Sequence, residues 1–316
     1  MTLNATGPQP YSVQAPPAVV MVRPQRFHPN PQTAADNAFQ GSGAGQTADQ
    51  LASAAWHESG AAAEALRAAG VRVHLFEDDG ARDTPDAVFP NNWFSTHAGG
   101  HVAIYPMYSP NRRRERRSDV IELLKREYRV QDVIDYSGLE HDGVFLEGTG
   151  AMVLDHLARV AYTAASNRAH AVALERFCTH FNFEPMAFDT ADAQGRAVYH
   201  TNVLMCVATE FALVGLDLIS DPQRRRAVRE RLEETGREVI PLDRDQIENF
   251  AGNALELCGD QGRVLALSVR AAASLRPAQR AVIGRSARLL PLAVPTIELA
   301  GGSVRCMLAG IHLARR

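Results

Sequence analysis

The chain reads as a single-domain α/β protein arranged as a five-bladed, propeller-like ring. Two observations predict this. Helix-then-strand units recur five times at intervals of roughly 50 to 65 residues, and short strand-like segments lie between one unit and the next. Strands paired between helices suit a ring of small sheets better than one long doubly wound sheet. Loops from every unit then converge on the central axis, the natural place for an active site built from residues far apart in sequence.

The units follow in order. An Ala- and Leu-rich helix at about 47 to 69 runs through Gly70 into the strand VRVHLF. SDVIELLKREY leads into RVQDVIDY, and AHAVALERFCTHF into NFEPMAF. DPQRRRAVRERLEETG leads into REVIPL, with Asp221 as N-cap and Pro222 at the first helical position. A fifth helix near 272 to 287 is expected to lead into LAVPTIEL. HVAIYP, GAMVLD, NVLMCVA and VLALSV supply the additional strands, and GDQG at 259 to 262 marks a hairpin turn. Residues 1–17, with four prolines among polar residues, read as a flexible tail, leaving 18–316 as one domain.

Composition narrows the function classes. The chain is 46% hydrophobic and 22% charged, with a net charge of −3, which argues against a polyanion-binding surface. It contains neither an apolar run long enough for a bilayer nor a leader-like N-terminus, so the cytoplasm is the expected location, without membrane partners. Four scattered cysteines argue against disulfides and structural zinc, and apolar neighbours mark Cys178, Cys206 and Cys258 as packed thiols. GSGAG at 41 to 45 lacks the preceding strand and Lys-Ser/Thr of a phosphate loop. NRRRERR at 111 to 117 reads as a solvated helix start rather than a nucleic-acid contact, and THAGGH offers no metal geometry.

Four segments carry chemistry. VFLEGTG brings Glu147 from a strand end into a Gly-Thr-Gly turn, VYHTNV sets His200 between apolar stretches, and GGSVRCML places Cys306 after two glycines. Each alone also fits a structural role. Together, a thiol, an imidazole and a carboxylate have the composition of a nucleophilic site, in which a base activates the thiol and an acceptor orients the base. PDAVFPNNWF adds adjacent amides, Asn91 and Asn92, which suit either a turn or a planar polar ligand.

In this order the motifs resemble the pentein superfamily of guanidino-group-modifying enzymes, which includes arginine deiminases, dimethylarginine dimethylaminohydrolases and amidinotransferases. NPQTAADNAFQ, FPNNW, FLEGTG, HTNV, FAGNALEL and GGSVRC look like the branch of citrulline-utilisation hydrolases. The resemblance covers nearly the whole chain and implies a five-bladed pentein fold. It makes Cys306 the nucleophile, His200 the general acid and base, and Glu147 the carboxylate that holds substrate nitrogens and the imidazole. Arg168, in Ser-Asn-Arg, matches the clamp for the substrate carboxylate, and Arg113, following PxRR, a second substrate contact. Asp86 opens the matching acidic motif, also on the substrate side.

The departures concern charge. The aspartate that clamps a guanidinium in dimethylarginine hydrolases is Asn92 here, and the one two residues after the catalytic histidine of arginine deiminases is Asn202. A buried cation needs carboxylates, whereas a neutral ureido group needs both donors and acceptors, as an amide provides. The resemblance therefore favours citrulline hydrolysis to ornithine, carbon dioxide and ammonia through an S-carbamoyl intermediate. Arginine deiminase, arginine dihydrolase, dimethylarginine hydrolase, amidinotransferase and a non-catalytic pentein-like binding protein are the alternatives. No metal or organic cofactor is implied. The expected partner is a small amino acid, with self-association left open, and residues 30–40 either line the pocket or are ordinary turn and cap positions.

Overall fold

The computed structural model describes residues 14–43 and 45–316, and in these the chain forms five three-stranded sheets. Each sheet has one plan: its middle strand pairs antiparallel with one neighbour and parallel with the other. The antiparallel partners are joined by short turns in four sheets, and the parallel partner returns after a longer crossover, as parallel pairing requires.

The second sheet contains Phe94–His97, His101–Ile104 and Asp132–Asp135, and the third Met152–Asp155, Val160–Ala164 and Glu184–Phe188. The fourth has Met205–Val207, Phe211–Val214 and Glu238–Pro241, and the fifth Leu255–Gly259, Gly262–Ser268 and Arg288–Leu292. The first sheet is assembled from both ends of the chain. Ala18–Pro24 pairs in parallel with Arg72–Asp78 and antiparallel with Ala309–Gly310, which closes the ring. The antiparallel strands beginning at Phe94, Met152, Met205, Leu255 and Ala309 form the inner layer, where neighbouring sheets touch.

The helices form where apolar spacing and capping agree. Thr47 and Gln50 make a reciprocal capping box at the start of Ala48–Ala68, which buries Leu51, Ala55, Ala62, Ala63 and Leu66. Ser118–Glu127, Ala171–Phe181 and Pro222–Glu233 occupy equivalent places, the last capped by Asp221 with Pro222 first, as expected. The fifth unit differs from expectation. Its helix is split into Val269–Ser274 and Pro277–Ile283, because Pro277 cannot continue the preceding turn and disfavours helical backbone at Arg276. The strand that follows is Arg288–Leu292, and the end of LAVPTIEL forms a 3-10 turn at Ile297–Ala300. Gly259 and Gly262 flank the expected hairpin turn.

Residues 1–13 of the expected flexible tail lie outside the described residues. Its remainder does not fit that expectation: Gln14 and Ala15 are buried, and the Gln14 amide donates to the carbonyls of Leu154 (3.1 Å) and Val207 (2.8 Å). Those bonds tie two inner strands together. Cys178 and Cys206 are buried as expected, whereas Cys258, next to the hairpin turn at Gly259, is exposed and is not a packed thiol.

Candidate active site

The inner strands are each preceded by a polar side chain at the axis. Asn92 precedes Phe94, Glu147 precedes Met152, His200 precedes Met205, Asn253 precedes Leu255 and Cys306 precedes Ala309. Three of them, Glu147, His200 and Cys306, sit at or within a single helical turn, namely Gly148–Ala151, Thr201–Leu204 and Val304–Met307, and Asn92 ends a 3-10 turn. The repeated turn-then-strand unit thus delivers side chains from five parts of the sequence to one place.

Glu147 is the hub. It is wholly buried; its Oε2 takes a 2.8 Å hydrogen bond from His200 Nε2 and lies 3.5 Å from both Arg168 Nη1 and Arg112 Nη1. Its Oε1 accepts from the Tyr108 backbone at 3.0 Å. Burial alone would raise this carboxyl, but Arg168, the His200 bond and Arg112 outweigh it and hold it well below the usual carboxylate range. Burial lowers His200 to about 4, against the opposing pull of Glu147, so the ring is neutral at pH 7. The bond to Nε2 then fixes the proton there and leaves Nδ1 as the basic nitrogen.

The thiol lies among amides. Asn202 Nδ2 and Asn253 Nδ2 each donate to Cys306 Sγ at 3.3 Å, and the Cys306 thiol lies 3.6 Å from Asn202 Oδ1. Asn253 is held in turn by donating to the Asn202 carbonyl at 2.9 Å and accepting from the Arg305 backbone at 3.0 Å. Two N–H groups directed at one sulfur suit a thiolate, since negative charge strengthens both bonds. The glycines before Cys306 serve packing. Gly301 has φ of +82° and lies where any Cβ would meet the Asn37 amide, and a Cβ on Gly302 would press on Phe89. These contacts account for both glycines without a substrate.

In the same cavity as the thiol, Asn92 fits with its oxygen facing Arg112, accepting from Nη2 at 3.0 Å and Nη1 at 3.1 Å, while its nitrogen donates to Asn91 Oδ1 at 3.2 Å. Asp86 Oδ2 accepts from Asn30 at 2.7 Å, whereas its buried Oδ1 has no hydrogen-bond partner among the described residues. Gly150 is required by close approach, because a Cβ there would fall 2.1 Å from the Asn92 side-chain amide and 2.8 Å from His200 Nδ1.

Arg113 is not brought to this cluster. It donates to the carbonyls of Met107 (3.0 Å) and Tyr108 (3.2 Å), and its partly exposed head lies 3.6 Å from Glu140. Arg112 faces the cavity instead, bonded through Nε and Nη2 to Glu115 at 2.9 and 3.0 Å. The expectation of a solvated basic run therefore fails at Arg112 and Glu115, both buried, because the chain turns through a 3-10 segment there and residues three apart share its inward face. Asn253, Arg112 and Asp36 had no assigned role from sequence. Equivalence of the five turn-then-strand positions points to Asn253; no local signal separates Arg112 from its neighbours.

Residues 30–40 do both things expected of them. Thr33 and Asn37 line the cavity, while Gln40 closes the loop by donating to the Asn30 carbonyl at 3.0 Å. Asp36 from this loop grips Arg168 through two bonds, 3.0 Å from Nε and 2.6 Å from Nη2. The enclosed space beside Cys306, His200, Asn92, Asp86 and Arg168 is about 10 Å³, room for roughly one water.

The five sheets and their axial cavity are those of a pentein-type hydrolase, and the cavity brings together a thiol, an imidazole and an arginine beside a buried carboxylate. The family model described as "N,N dimethylarginine dimethylhydrolase, eukaryotic" matches residues 23–313, and the chain belongs to that family. None of the curated proteins matches it in sequence. Among solved structures it is similar to the N-terminal domain of ArgZ, a cyanobacterial arginine dihydrolase bound to substrate, at 16% identity and TM-score 0.72, covering 93% of this chain and 97% of that one. It is also similar to unliganded AgrE (17%, TM-score 0.73, 95% of this chain and 40% of that one) and to the dimethylarginine hydrolase of Pseudomonas aeruginosa complexed with citrulline (14%, TM-score 0.61, 96% and 100%). The fold is therefore the pentein propeller, and the protein is a hydrolase of the guanidino-modifying class.

Proposed function

We propose that the protein hydrolyses citrulline to ornithine, carbon dioxide and ammonia, with Cys306 as nucleophile. The observation that carries this reading is the pair of neutral amides, Asn92 beside Arg112 and Asn202 beside the thiol, at positions where a cationic head would call for carboxylates. Neutral His200 takes the thiol proton, and Cys306 sulfur adds to the ureido carbon. The terminal nitrogen takes the proton back from His200 and leaves as ammonia, while the sulfur keeps the carbonyl and the ornithine nitrogen. His200 then deprotonates a water that adds to this carbonyl; the C–S bond breaks, the thiol is restored and the carbamate releases carbon dioxide. Glu147 accepts from substrate N–H groups and keeps the imidazole oriented, and Asp86 Oδ1 offers a second acceptor.

Arg168 would bind the substrate carboxylate after exchanging Asp36 for it. Because the enclosed space holds roughly one water, the loop that carries Asp36 must withdraw for an amino acid to enter.

A second reading, a guanidino substrate such as arginine or a methylated arginine, is favoured by the unpartnered oxygen of Asp86, which lines the cavity, and by the family match. Turnover of citrulline, arginine and dimethylarginine by the full chain separates the two. The quenched enzyme should carry the carbamoyl-ornithine adduct on Cys306. Product formed from arginine or dimethylarginine but none from citrulline would overturn the first reading.

A further inference from the structure

Beyond the catalytic cavity, the same axis holds a second one. It encloses about 40 Å³ and is lined by residues of all five inner strands, among them Thr96, Leu154, Cys206, Leu255 and Gly310. The catalytic side chains precede these strands and the second cavity lies along them, so the two spaces are separated by the floor that carries Glu147, Asn253 and Cys306.

The second cavity is polar in an uneven way. Arg305, one residue before the nucleophile, lines it together with the stacked rings of His156 and His312, whose centroids are 3.8 Å apart. No aspartate or glutamate among the described residues lines it. Arg305 Nη1 donates to the Leu308 carbonyl at 2.9 Å; that is the one side-chain hydrogen bond Arg305 makes among the described residues, and it has no ion pair among them. Every other arginine named in the catalytic site meets a carboxylate. Arg305 is half-buried, and a guanidinium drawn partly out of bulk water with no carboxylate facing it is stabilised by an anion. Burial also lowers the Arg305 pKa, the direction expected when no anionic group faces it.

We propose that this cavity is a binding site for a small inorganic monoanion of chloride size, held by the Arg305 guanidinium on the pseudo-fivefold axis behind the catalytic floor. The size follows from the enclosed volume, which accommodates a few waters but not an amino acid. The ligand class follows from one cation and no carboxylate in the lining. The site abuts the nucleophile's own turn, since the Arg305 backbone N–H bonds to Asn253, whose side chain donates to Cys306 Sγ.

The test uses the full chain and does not depend on turnover. In sodium gluconate buffer, replacing gluconate by chloride or nitrate at constant ionic strength should raise the melting temperature saturably, by about 2 to 4 °C. Arg305→Met should abolish the rise. Crystals of the unaltered protein soaked in bromide should show an anomalous peak within hydrogen-bonding distance of the Arg305 guanidinium, a measurement that stands even if the variant fails to fold. No rise in the unaltered protein, an equal rise in Arg305→Met, or a bromide map without that peak would overturn the proposal.

Discussion

Asp36 holds Arg168 with both carboxylate oxygens, at 2.6 and 3.0 Å, in the two-pronged geometry that an α-carboxylate would adopt. A loop side chain thus occupies the arginine to which the proposed function assigns the substrate carboxylate, and under that proposal binding is an exchange of one carboxylate for another.

Removing the competitor should therefore help binding. Asp36→Asn is expected to lower KM by about three- to tenfold, equivalent to roughly 1 kcal/mol, with kcat little changed. Steady-state kinetics check this; a rise in KM would instead mean that Asp36 contacts the bound substrate.

The thiol is expected to be indispensable to turnover and dispensable to folding. Cys306→Ser should reduce kcat by at least about a thousandfold and leave the melting temperature within a few degrees, since the two asparagine donors retain an acceptor. Mass spectrometry of the quenched variant should find no adduct on residue 306.

Specificity should follow the charge of residue 92. Asn92→Asp places a carboxylate beside Arg112 and the substrate head, and should shift the ratio of kcat/KM toward arginine over citrulline by at least about tenfold. An unchanged ratio would show that the head group is read elsewhere.

Acid stability has a definite sign. Burial holds native His200 at about 4, below the ordinary 6.5, so between those values the unfolded chain binds a proton that the native ring does not. Stability is unaffected by this group above pH 6.5 and falls as pH drops from 6.5 to 4. Buried His97 and His156, also lowered, act in the same direction. His200→Gln should make the fall shallower in denaturant titrations across that window.

Gly150 tolerates no side chain. Gly150→Ala would force its methyl into Asn92 and the His200 ring, and should cost about 1 to 3 kcal/mol of stability together with most of the activity. Thermal unfolding and kinetics measured together would reveal both losses.

The ring was legible because its repeat is local: helix caps such as Thr47 and Asp221, and strands of alternating or continuous apolar residues, are fixed by near neighbours in sequence. Cys306, His200 and Glu147 were legible as chemical types beside tight turns, and their order carried the family resemblance. The split of the fifth helix at Pro277 was also written locally, in a residue that cannot continue a helical turn.

Other features depend on contacts between distant residues. Closure of the first sheet joins Val19 and Val20 to Gly310 and Ala309, a pairing no local pattern encodes. Arg112 rather than Arg113 enters the site because of how a 3-10 turn rotates one side chain inward, and Asp36 reaches Arg168 across 132 residues. Sequence by itself determined the repeating unit and the reactive groups, since both follow from local backbone preference and side-chain chemistry. Tertiary structure alone decided which charges face one another, because electrostatic partnership depends on distance in space, and burial sets how strongly each pair is felt.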